Sequence, residues 1–273
     1  MNDAGSSIRV AIAGLGAIGL KVAEELEAGR LAGFTLAAVS ARDVPAARAR
    51  LARFGRGIPV VSVDELEPLA DIVVECAPAE LLPRIALPFL RAGKKVIVLS
   101  VGAIFNDETL VEAAREGGGQ IIVPSGALLG LDAVTAAAQG EIASVTMVTR
   151  KPVRGLIGAP YLVKNGIDID SLNEPLKVFE GSARDAATGF PSNLNVAAAL
   201  ALAGVGGSRT TIEIWADPAL TRNTHRITVE ADSASFSMAI ENIPSENPKT
   251  GRITALSVIA ILKKMTSPLR VGT

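Results

Sequence analysis

Three glycines near the start of the chain have the spacing of a phosphate-binding turn. Gly14, Gly16 and Gly19 form the pattern GxGxxG within "RVAIAGLGAIGLKVAEEL". In such a turn the first glycine permits a tight bend, the second lets the backbone approach a pyrophosphate, and the third lets a helix lie close to the strand. The amides of Ala17 and Ile18 would open that helix and face the anion. The spacing predicts a dinucleotide site.

The segments on either side of the glycines fit this chemistry. Residues 8–13 are short and apolar, as in a strand buried on both faces. Residues 17–28 place Ile18, Val22 and Leu26 at the spacing of an amphipathic helix. A secretion signal is the alternative, but such a signal needs a basic start and an uninterrupted apolar run, and this segment has neither. We therefore expect a cytoplasmic protein.

Composition excludes several classes of function. The chain has 273 residues, 49% of them hydrophobic, and a net charge of -1. No stretch approaches the roughly 18 apolar residues of a membrane span, and basic blocks typical of nucleic-acid binding are missing, so we expect neither partner. The single cysteine, Cys76, cannot form an internal disulfide, and "DIVVECAP" favours a buried thiol over a nucleophile. With one His and one Cys, no zinc site of that type can form, and we expect no metal.

The order of predicted elements indicates two domains. Strands at 8–13, 34–40, 71–77, 94–100 and 119–125 alternate with helices at 17–28, 45–54, 80–92 and 107–117, which predicts a Rossmann-type doubly wound parallel sheet in an α/β fold. From about residue 141, strands separated by short turns predict a second α+β domain on a mainly antiparallel sheet. We assign 1–127 plus 247–273 to the dinucleotide-binding domain, to which the last helix returns, and 128–246 to the substrate domain.

The end of the second strand bears on the choice of coenzyme. NAD sites usually place an acidic residue there for the ribose hydroxyl, whereas NADP sites offer arginine to the 2′-phosphate. Here the sequence is "VSARD", in which Ser40 and Arg42 suit a phosphate and Asp43 follows. The cofactor is therefore expected to be NAD or NADP, with NADP or dual use favoured, although Arg42 also fits a solvated loop. Ala77 and Pro78, after the next long strand, should border the nicotinamide ribose.

Hydride transfer to a nicotinamide requires a polar group beside the reacting carbon. His225 is the single histidine, and it shares one face of the predicted strand "NTHRITVEA" with Ile227 and Val229. On the residues alone, a partly buried structural histidine and a catalytic one both remain open.

Several separated segments together resemble the L-aspartate dehydrogenase family: "GLGAIG", "PSGALLGLDA", "FEGSARDAATGFPSNLNVAAALALAG", "NTHRI" and "ENPKTGRITALSVIA". The resemblance covers essentially the whole chain. It implies oxidative deamination of L-aspartate with NAD or NADP, through iminoaspartate, to oxaloacetate and ammonia. It also implies that His225 is the active-site residue and that Ala127 and Asn195 contact the cofactor. We further expect a homodimer that supplies iminoaspartate for NAD biosynthesis.

Aspartate has two carboxylates, so the substrate site needs cations or helix N-termini. The segment "KVFEGSARDAATG" offers Gly181 and Ser182 at a helix start, with Lys177 and Arg184 nearby. These four are the expected substrate-binding residues, and Arg150, Lys151 and Arg154 rank below them. An imidazole with its ordinary pKa near 6.5 would exchange protons at neutral pH.

Two other functions are alternatives. A dihydrodipicolinate-reductase-like imine reductase shares the two-domain plan, but that family carries a paired-histidine and lysine motif and this chain has one histidine. A non-catalytic NAD(P)-sensing protein would be expected to lack a proton-transfer group, and His225 is present.

Overall fold

The computed structural model describes residues 7–105, 107–191, 195–245 and 251–272. The chain divides into two compact units. The first contains the residues up to Pro124 together with Ala255–Arg270, and the second contains Ser125–Thr254 with Val271–Thr273.

The first unit is built on six parallel strands. Their order is β3-β2-β1-β4-β5-β6, the doubly wound order of dinucleotide-binding folds. Residues 10–13 of β1 are completely buried because helices cover both faces of the sheet. Five strands lie where the sequence predicted them, whereas the two-residue β3 was not predicted. The strands are β1 (Ile8–Ala13), β2 (Phe34–Ser40), β3 (Val60–Val61), β4 (Ile72–Glu75), β5 (Lys95–Val98) and β6 (Gln120–Ile122).

Helices connect these strands in the alternating pattern that the sequence predicted. The four predicted helices are present, each within three residues of its expected start, and α4 adds one short turn after β5. They are α1 (Ala17–Glu27), α2 (Val44–Ala52), α3 (Leu82–Arg91), α4 (Val101–Ile104) and α5 (Thr109–Gly117).

The second unit contains a five-stranded sheet. Its order is β11-β10-β7-β9-β8, and β7 and β9 form one parallel pair while the other neighbours are antiparallel. The predicted mainly antiparallel sheet is thus observed with one parallel pair, and β8 is an additional strand. The strands are β7 (Ile142–Lys151), β8 (Leu176–Ser182), β9 (Thr210–Ala216), β10 (Thr224–Ala231) and β11 (Ser235–Glu241).

One face of this second sheet is covered, and we call it the inner face. It carries the buried positions of three strands: alternate residues of β7 from Val145 to Lys151, of β9 from Thr210 to Ala216, and of β10 from His225 to Val229. The helices of this unit are α6 (Leu131–Ala137), α7 (Pro160–Asn165), α8 (Ala183–Gly189) and α9 (Asn195–Ala203). The opposite face, the outer face, carries partly exposed residues such as Arg150 and Trp215.

The last helix, α10 (Arg252–Thr266), packs into the first unit. Val258, Ile259 and Leu262 join the hydrophobic core formed by β1, β2, β4 and α1. Thr266 adds a hydrogen bond from its Oγ1 to the carbonyl of Ala32, at 3.2 Å. No helix in the described ranges is long and apolar enough to cross a membrane.

The second unit extends further at both ends than predicted: it begins at residue 125 instead of 128 and continues to 254 instead of 246. Local hydrogen bonds explain the difference. Asn242 Nδ2 donates to the carbonyl of Ala127 at 2.9 Å, which fixes the first segment to the end of β11. At the other end, the amide of Arg252 donates to the carbonyl of Ile243 at 2.9 Å.

Candidate coenzyme and catalytic sites

The glycine turn has the geometry that its three tasks require. Gly14 has φ +103°, and a Cβ there would lie 2.5 Å from the carbonyl oxygen of Cys76, so only glycine fits. A Cβ at Gly19 would lie 2.0 Å from the carbonyl oxygen of Gly14, which shows how closely α1 packs on the turn. At Gly16, by contrast, a Cβ would meet nothing within 4 Å. The open space thus lies at the position where a pyrophosphate should approach.

A cavity of about 580 Å³ adjoins this turn in the first unit. It lies at the carboxyl ends of β1, β2 and β4, where ligands of doubly wound sheets bind. Of the predicted cofactor residues, six line it: Gly14, Gly16, Ser40, Arg42, Ala77 and Pro78. Ala17, Ile18 and Gly19 lie in the first turn of α1, which Gly16 caps. The structure therefore places six of the predicted residues of the first unit around one cavity, with the other three at the adjoining helix start.

Two arginines line the part of the cavity beside β2. Arg42 follows the strand, and Arg50, from α2, donates from Nη1 to the carbonyl of Leu15 at 3.0 Å. Asp43 accepts a hydrogen bond from the amide of Ala46 at 2.9 Å and so caps α2. The guanidinium groups of Arg42 and Arg50 suit a 2′-phosphate, whereas the carboxylate of Asp43 is used to cap the helix. Arg50 was not among the predicted site residues, although its position in the second turn of the helix after "VSARD" was a usable signal.

Glu75, at the end of β4, organises the neighbouring loops. Its buried carboxylate accepts hydrogen bonds from the amides of Ala77, Leu99 and Ser100 at 3.1, 3.0 and 2.8 Å, and from the hydroxyl of Ser100 at 2.9 Å. Burial raises the pKa of Glu75, and these hydrogen bonds oppose that rise. Burial also raises the pKa of the Cys76 thiol well above its ordinary value, so this thiol is not an activated nucleophile.

His225 lies on the inner face of the second sheet, with 3% of its surface exposed. Its partner across the β7 ladder is Thr149, whose Oγ1 lies 3.1 Å from Nδ1 of the ring. A hydroxyl can donate or accept, so this contact fixes the ring and is compatible with either neutral tautomer. Ile227 and Val229 follow His225 on the same buried face, as the sequence predicted.

The buried environment of His225 changes the expected pKa of its imidazole. Burial, and next the charge of Lys151, lower the pKa of His225 from 6.5 to about 3. With this pKa the imidazole is neutral at physiological pH, in contrast to the ordinary pKa near 6.5 that the sequence analysis assumed. A neutral ring can accept a proton, but with this pKa it is a weak base.

Lys151 lies on the same inner face as His225, two residues beyond Thr149 on β7. It ends β7, 3% of its surface is exposed, and burial lowers its pKa from 10.5 to about 8. The signal was in the alternation of "VTMVTRK": Lys151 is in phase with Val145, Met147 and Thr149, so it faces inward. A lysine at a strand end is usually a surface charge, and that expectation concealed the pattern.

The four predicted substrate residues are not grouped with His225. Lys177 lies on the outer face, where it pairs with Glu180 and where its Nζ lies 5.9 Å from the centre of the Trp215 ring. Gly181 and Ser182 pair with Ile212 and Thr211 of β9. In the sheet, β7 and β9 lie between β8 and β10, the strand that carries His225. The role of these four residues in substrate binding stays a prediction.

Local structure gives these residues other tasks. Ser182 Oγ accepts a hydrogen bond from the amide of Asp185 at 3.1 Å and so caps α8 as predicted. A Cβ at Gly181 would lie 2.9 Å from the ring of Phe179, so packing explains that glycine. Arg184 is an exposed residue in the first turn of α8.

The two remaining predicted cofactor contacts lie in the second unit. Ala127 is in the turn after β6, and its carbonyl accepts the hydrogen bond from Asn242 described above. Asn195 is exposed and begins α9. Residues 192–194, which precede it in the "FPSNLNVAAA" segment, lie outside the described residues.

Comparison with known proteins agrees with this architecture. The family model "Aspartate dehydrogenase, C-terminal" matches residues 132–265, and the model "Homoserine dehydrogenase, NAD binding domain" matches residues 14–124. The chain is 60% identical to L-aspartate dehydrogenase of Bradyrhizobium diazoefficiens, over 99% of this chain and 96% of that protein. It is 59% identical to L-aspartate dehydrogenase 3 of Bordetella bronchiseptica, over 97% of both chains.

A solved structure gives the same result for the fold. The crystal structure of aspartate dehydrogenase from Thermotoga maritima superimposes with a TM-score of 0.71 at 27% identity, and it covers 97% of this chain and 99% of that chain. This likeness confirms the predicted fold class.

Proposed function

Because the chain belongs to the aspartate dehydrogenase family, we propose that it oxidises L-aspartate with NAD or NADP as the hydride acceptor. The products are oxaloacetate and ammonia, formed through iminoaspartate. The observation that carries this proposal is the 60% identity to an L-aspartate dehydrogenase along nearly the whole of both chains. The segments that resemble that family include "NTHRI", which contains the single histidine. This histidine is a polar residue that follows apolar residues on the inner face of the second sheet.

The first unit supplies the coenzyme site. When bound, NAD(P)⁺ accepts a hydride from the α-carbon of the substrate. The open side of Gly16 and the amides at the start of α1 hold the pyrophosphate, and Arg42 and Arg50 face the adenosine ribose and its 2′-phosphate. The loops fixed by Glu75 hold Ala77 and Pro78. We retain Ala127 and Asn195 as contacts of the nicotinamide half.

His225 moves protons in this reaction. The α-ammonium group must lose a proton before hydride leaves the α-carbon, and water must lose a proton as it adds to the resulting imine carbon. The carbon–nitrogen bond then breaks and ammonia leaves, which leaves the carbonyl of oxaloacetate. A neutral imidazole held by Thr149 can accept one of these protons, and its burial keeps bulk water from competing.

The test replaces His225 with alanine or asparagine. Loss of a general base should lower the rate of aspartate oxidation about 10²- to 10⁴-fold, while NADH binding and a cooperative unfolding transition persist. Ile227→Val is the matched control, since it alters a buried packing residue on the same strand face and should change stability alone. A folded His225→Ala protein that oxidises aspartate within a few-fold of the wild type would refute the assignment.

The biological setting is a further part of the proposal. We propose a cytoplasmic homodimer whose iminoaspartate is available for NAD biosynthesis. The exposed apolar side chains Ile157 and Val163, which are 59% and 72% exposed, support a second copy as a partner. Light scattering of the purified chain tests the dimer, and a monomer at micromolar concentration would refute it.

A further inference from the structure

Glu75 is a carboxylate in a strand whose other residues are apolar. It is the last residue of β4, in which all four residues are buried, and none of its own surface is exposed. Its neighbours in the sheet are Ala13, the last residue of β1, and Val98, the last residue of β5. A parallel strand that is buried on both faces normally consists of a continuous apolar run. A glutamate at this position therefore needs a reason other than packing.

The surroundings of Glu75 favour the carboxylate anion. Each carboxylate oxygen accepts two hydrogen bonds: Oε1 from the amide of Ala77 and the hydroxyl of Ser100, and Oε2 from the amides of Leu99 and Ser100. These four contacts use the acceptor sites of an ionised carboxylate, and the three amide N–H groups can only donate. A protonated carboxyl group would direct its own hydrogen towards these donors.

This buried charge has hydrogen bonds but no counter-ion in the described part of the chain. The partners of Glu75 are three amides and one hydroxyl, and no described lysine, arginine or histidine forms an ion pair with it. A buried charge is costly unless it is both hydrogen-bonded and paired. A cationic group of a ligand that binds near Glu75 would therefore be attracted to it.

The two loops that Glu75 joins belong to the half of the first unit that is expected to take the nicotinamide. A doubly wound sheet consists of two mononucleotide-binding halves, which meet where the strand order reverses. Here the reversal lies between β1 and β4, and Arg42 and Arg50, which suit the 2′-phosphate of the adenosine half, lie beside β2. The other half contains β4, β5 and β6, and Glu75 holds the ends of β4 and β5 together.

We propose that the carboxylate of Glu75 stabilises the positive charge of the oxidised nicotinamide ring and so favours the binding of NAD(P)⁺ over that of NAD(P)H. This inference rests on the coenzyme site proposed above and does not depend on the substrate. The nicotinamide ring carries one positive charge when it is oxidised and none after it has accepted a hydride. A fixed negative charge therefore acts mainly on the affinity of the oxidised form.

Coulomb's law gives the expected size of the effect. At an effective dielectric constant near 20, the attraction of two opposite unit charges roughly 12 Å apart corresponds to about tenfold in affinity. Tighter binding of the oxidised form by this factor lowers the midpoint potential of the bound couple by about 30 mV. The reduced coenzyme then dissociates more readily after hydride transfer, and while it is bound it is the stronger reductant.

Glu75→Gln tests the proposal, since it removes the charge and nearly preserves the size of the side chain. The dissociation constants of NAD⁺ and NADH are measured by calorimetry on the whole protein at pH 8, well above the ordinary pKa of a carboxyl group. We expect the ratio of the NAD⁺ constant to the NADH constant to rise about tenfold in this variant. Loss of loop structure alone would weaken both forms alike, so an unchanged ratio in folded Glu75→Gln would overturn the proposal.

Two matched variants separate the charge of Glu75 from its structural role. Ser100→Ala removes one hydrogen bond from the carboxylate but keeps the carboxylate itself, so both coenzyme forms should lose affinity equally. Glu25→Gln makes the same charge change on α1, where Glu25 pairs with Arg30 at 2.6 Å, and the ratio should stay at the wild-type value. A ratio that changes as much in either control as in Glu75→Gln would contradict the proposal.

The wild type gives a measurement that does not require Glu75→Gln to fold. A pyridinium ring that leaves water for a site without an anion has a desolvation cost that the neutral reduced ring does not have. With Glu75 as the nearby anion, we expect the wild type to bind NAD⁺ at least as tightly as NADH, and tighter binding of NADH would overturn the proposal. Unchanged coenzyme binding in Gly16→Ala and Arg42→Ala would refute the proposed coenzyme site. If both variants lose affinity while Glu75→Gln keeps the wild-type ratio, only the role of Glu75 fails.

Discussion

Replacing Gly16 with alanine should change stability and coenzyme affinity in opposite directions. Gly16 has φ −79° and ψ −162°, an extended conformation open to any residue, and an added Cβ meets nothing within 4 Å. Alanine also restricts the unfolded chain, which stabilises a protein by about 0.4–1 kcal/mol where the native conformation allows it. For a chain of this size the Tm of the coenzyme-free protein should rise by about 1–4 °C.

The same methyl group occupies the space through which the pyrophosphate would approach the backbone. If one charge-assisted contact of about 1.5–3 kcal/mol is lost, NADH and NADPH should each bind about 10- to 150-fold more weakly. Fluorescence titration of both coenzymes on the folded variant measures this, and thermal unfolding without coenzyme measures the gain in stability.

Gly19→Ala is the matched control. Its Cβ would lie 2.0 Å from the carbonyl oxygen of Gly14 and 3.0 Å from Cγ2 of Ile12, so this variant should lose stability by about 1–3 kcal/mol or more. If Gly16→Ala binds both coenzymes like the wild type, the glycine turn does not hold the pyrophosphate and the reasoning is refuted.

Two further predictions concern the first unit. Arg42→Ala should weaken NADP binding about 10- to 150-fold and leave NAD binding unchanged, since NADP alone carries the 2′-phosphate; equal losses measured by titration would contradict the role of Arg42. Glu75→Gln places an amide NH₂ against N–H donors and should lower the free energy of unfolding by about 1–3 kcal/mol. Because burial raises the folded-state pKa of Glu75, the wild type loses stability as pH rises through that pKa. The difference in free energy of unfolding between the wild type and Glu75→Gln should therefore narrow as pH rises. Denaturant titrations of both proteins at several pH values check this.

The sequence predicted the first unit closely because its local signals agree with its tertiary environment. The strands are short apolar runs, and glycine and polar residues separate them from amphipathic helices. The limits of β1 and β2 match the prediction. In the second unit, β8 escaped prediction because Leu176, Lys177 and Glu180 are exposed and a register shift after Lys177 interrupts its alternation.

In the candidate site, too, some residues could be predicted from the sequence and others could not. The glycine turn and His225 could be found because a motif and a unique residue identified them. The separation of Gly181 and Ser182 from His225 could not be predicted, because a sequence segment says nothing about which position in a sheet its strand takes. That depends on the strand order and on the antiparallel pairing of β8 with β9, which are long-range properties.

The placement of α10 delays completion of the first unit during synthesis. Its core needs Val258, Ile259 and Leu262, which the ribosome adds only after the 130 residues from Ser125 to Thr254. At about 5–20 residues per second, roughly 7–26 s pass between the end of β6 and the start of this helix. Throughout that interval the apolar surface that α10 covers is exposed, so the nascent glycine turn rests on an unfinished core and chaperones have time to bind it.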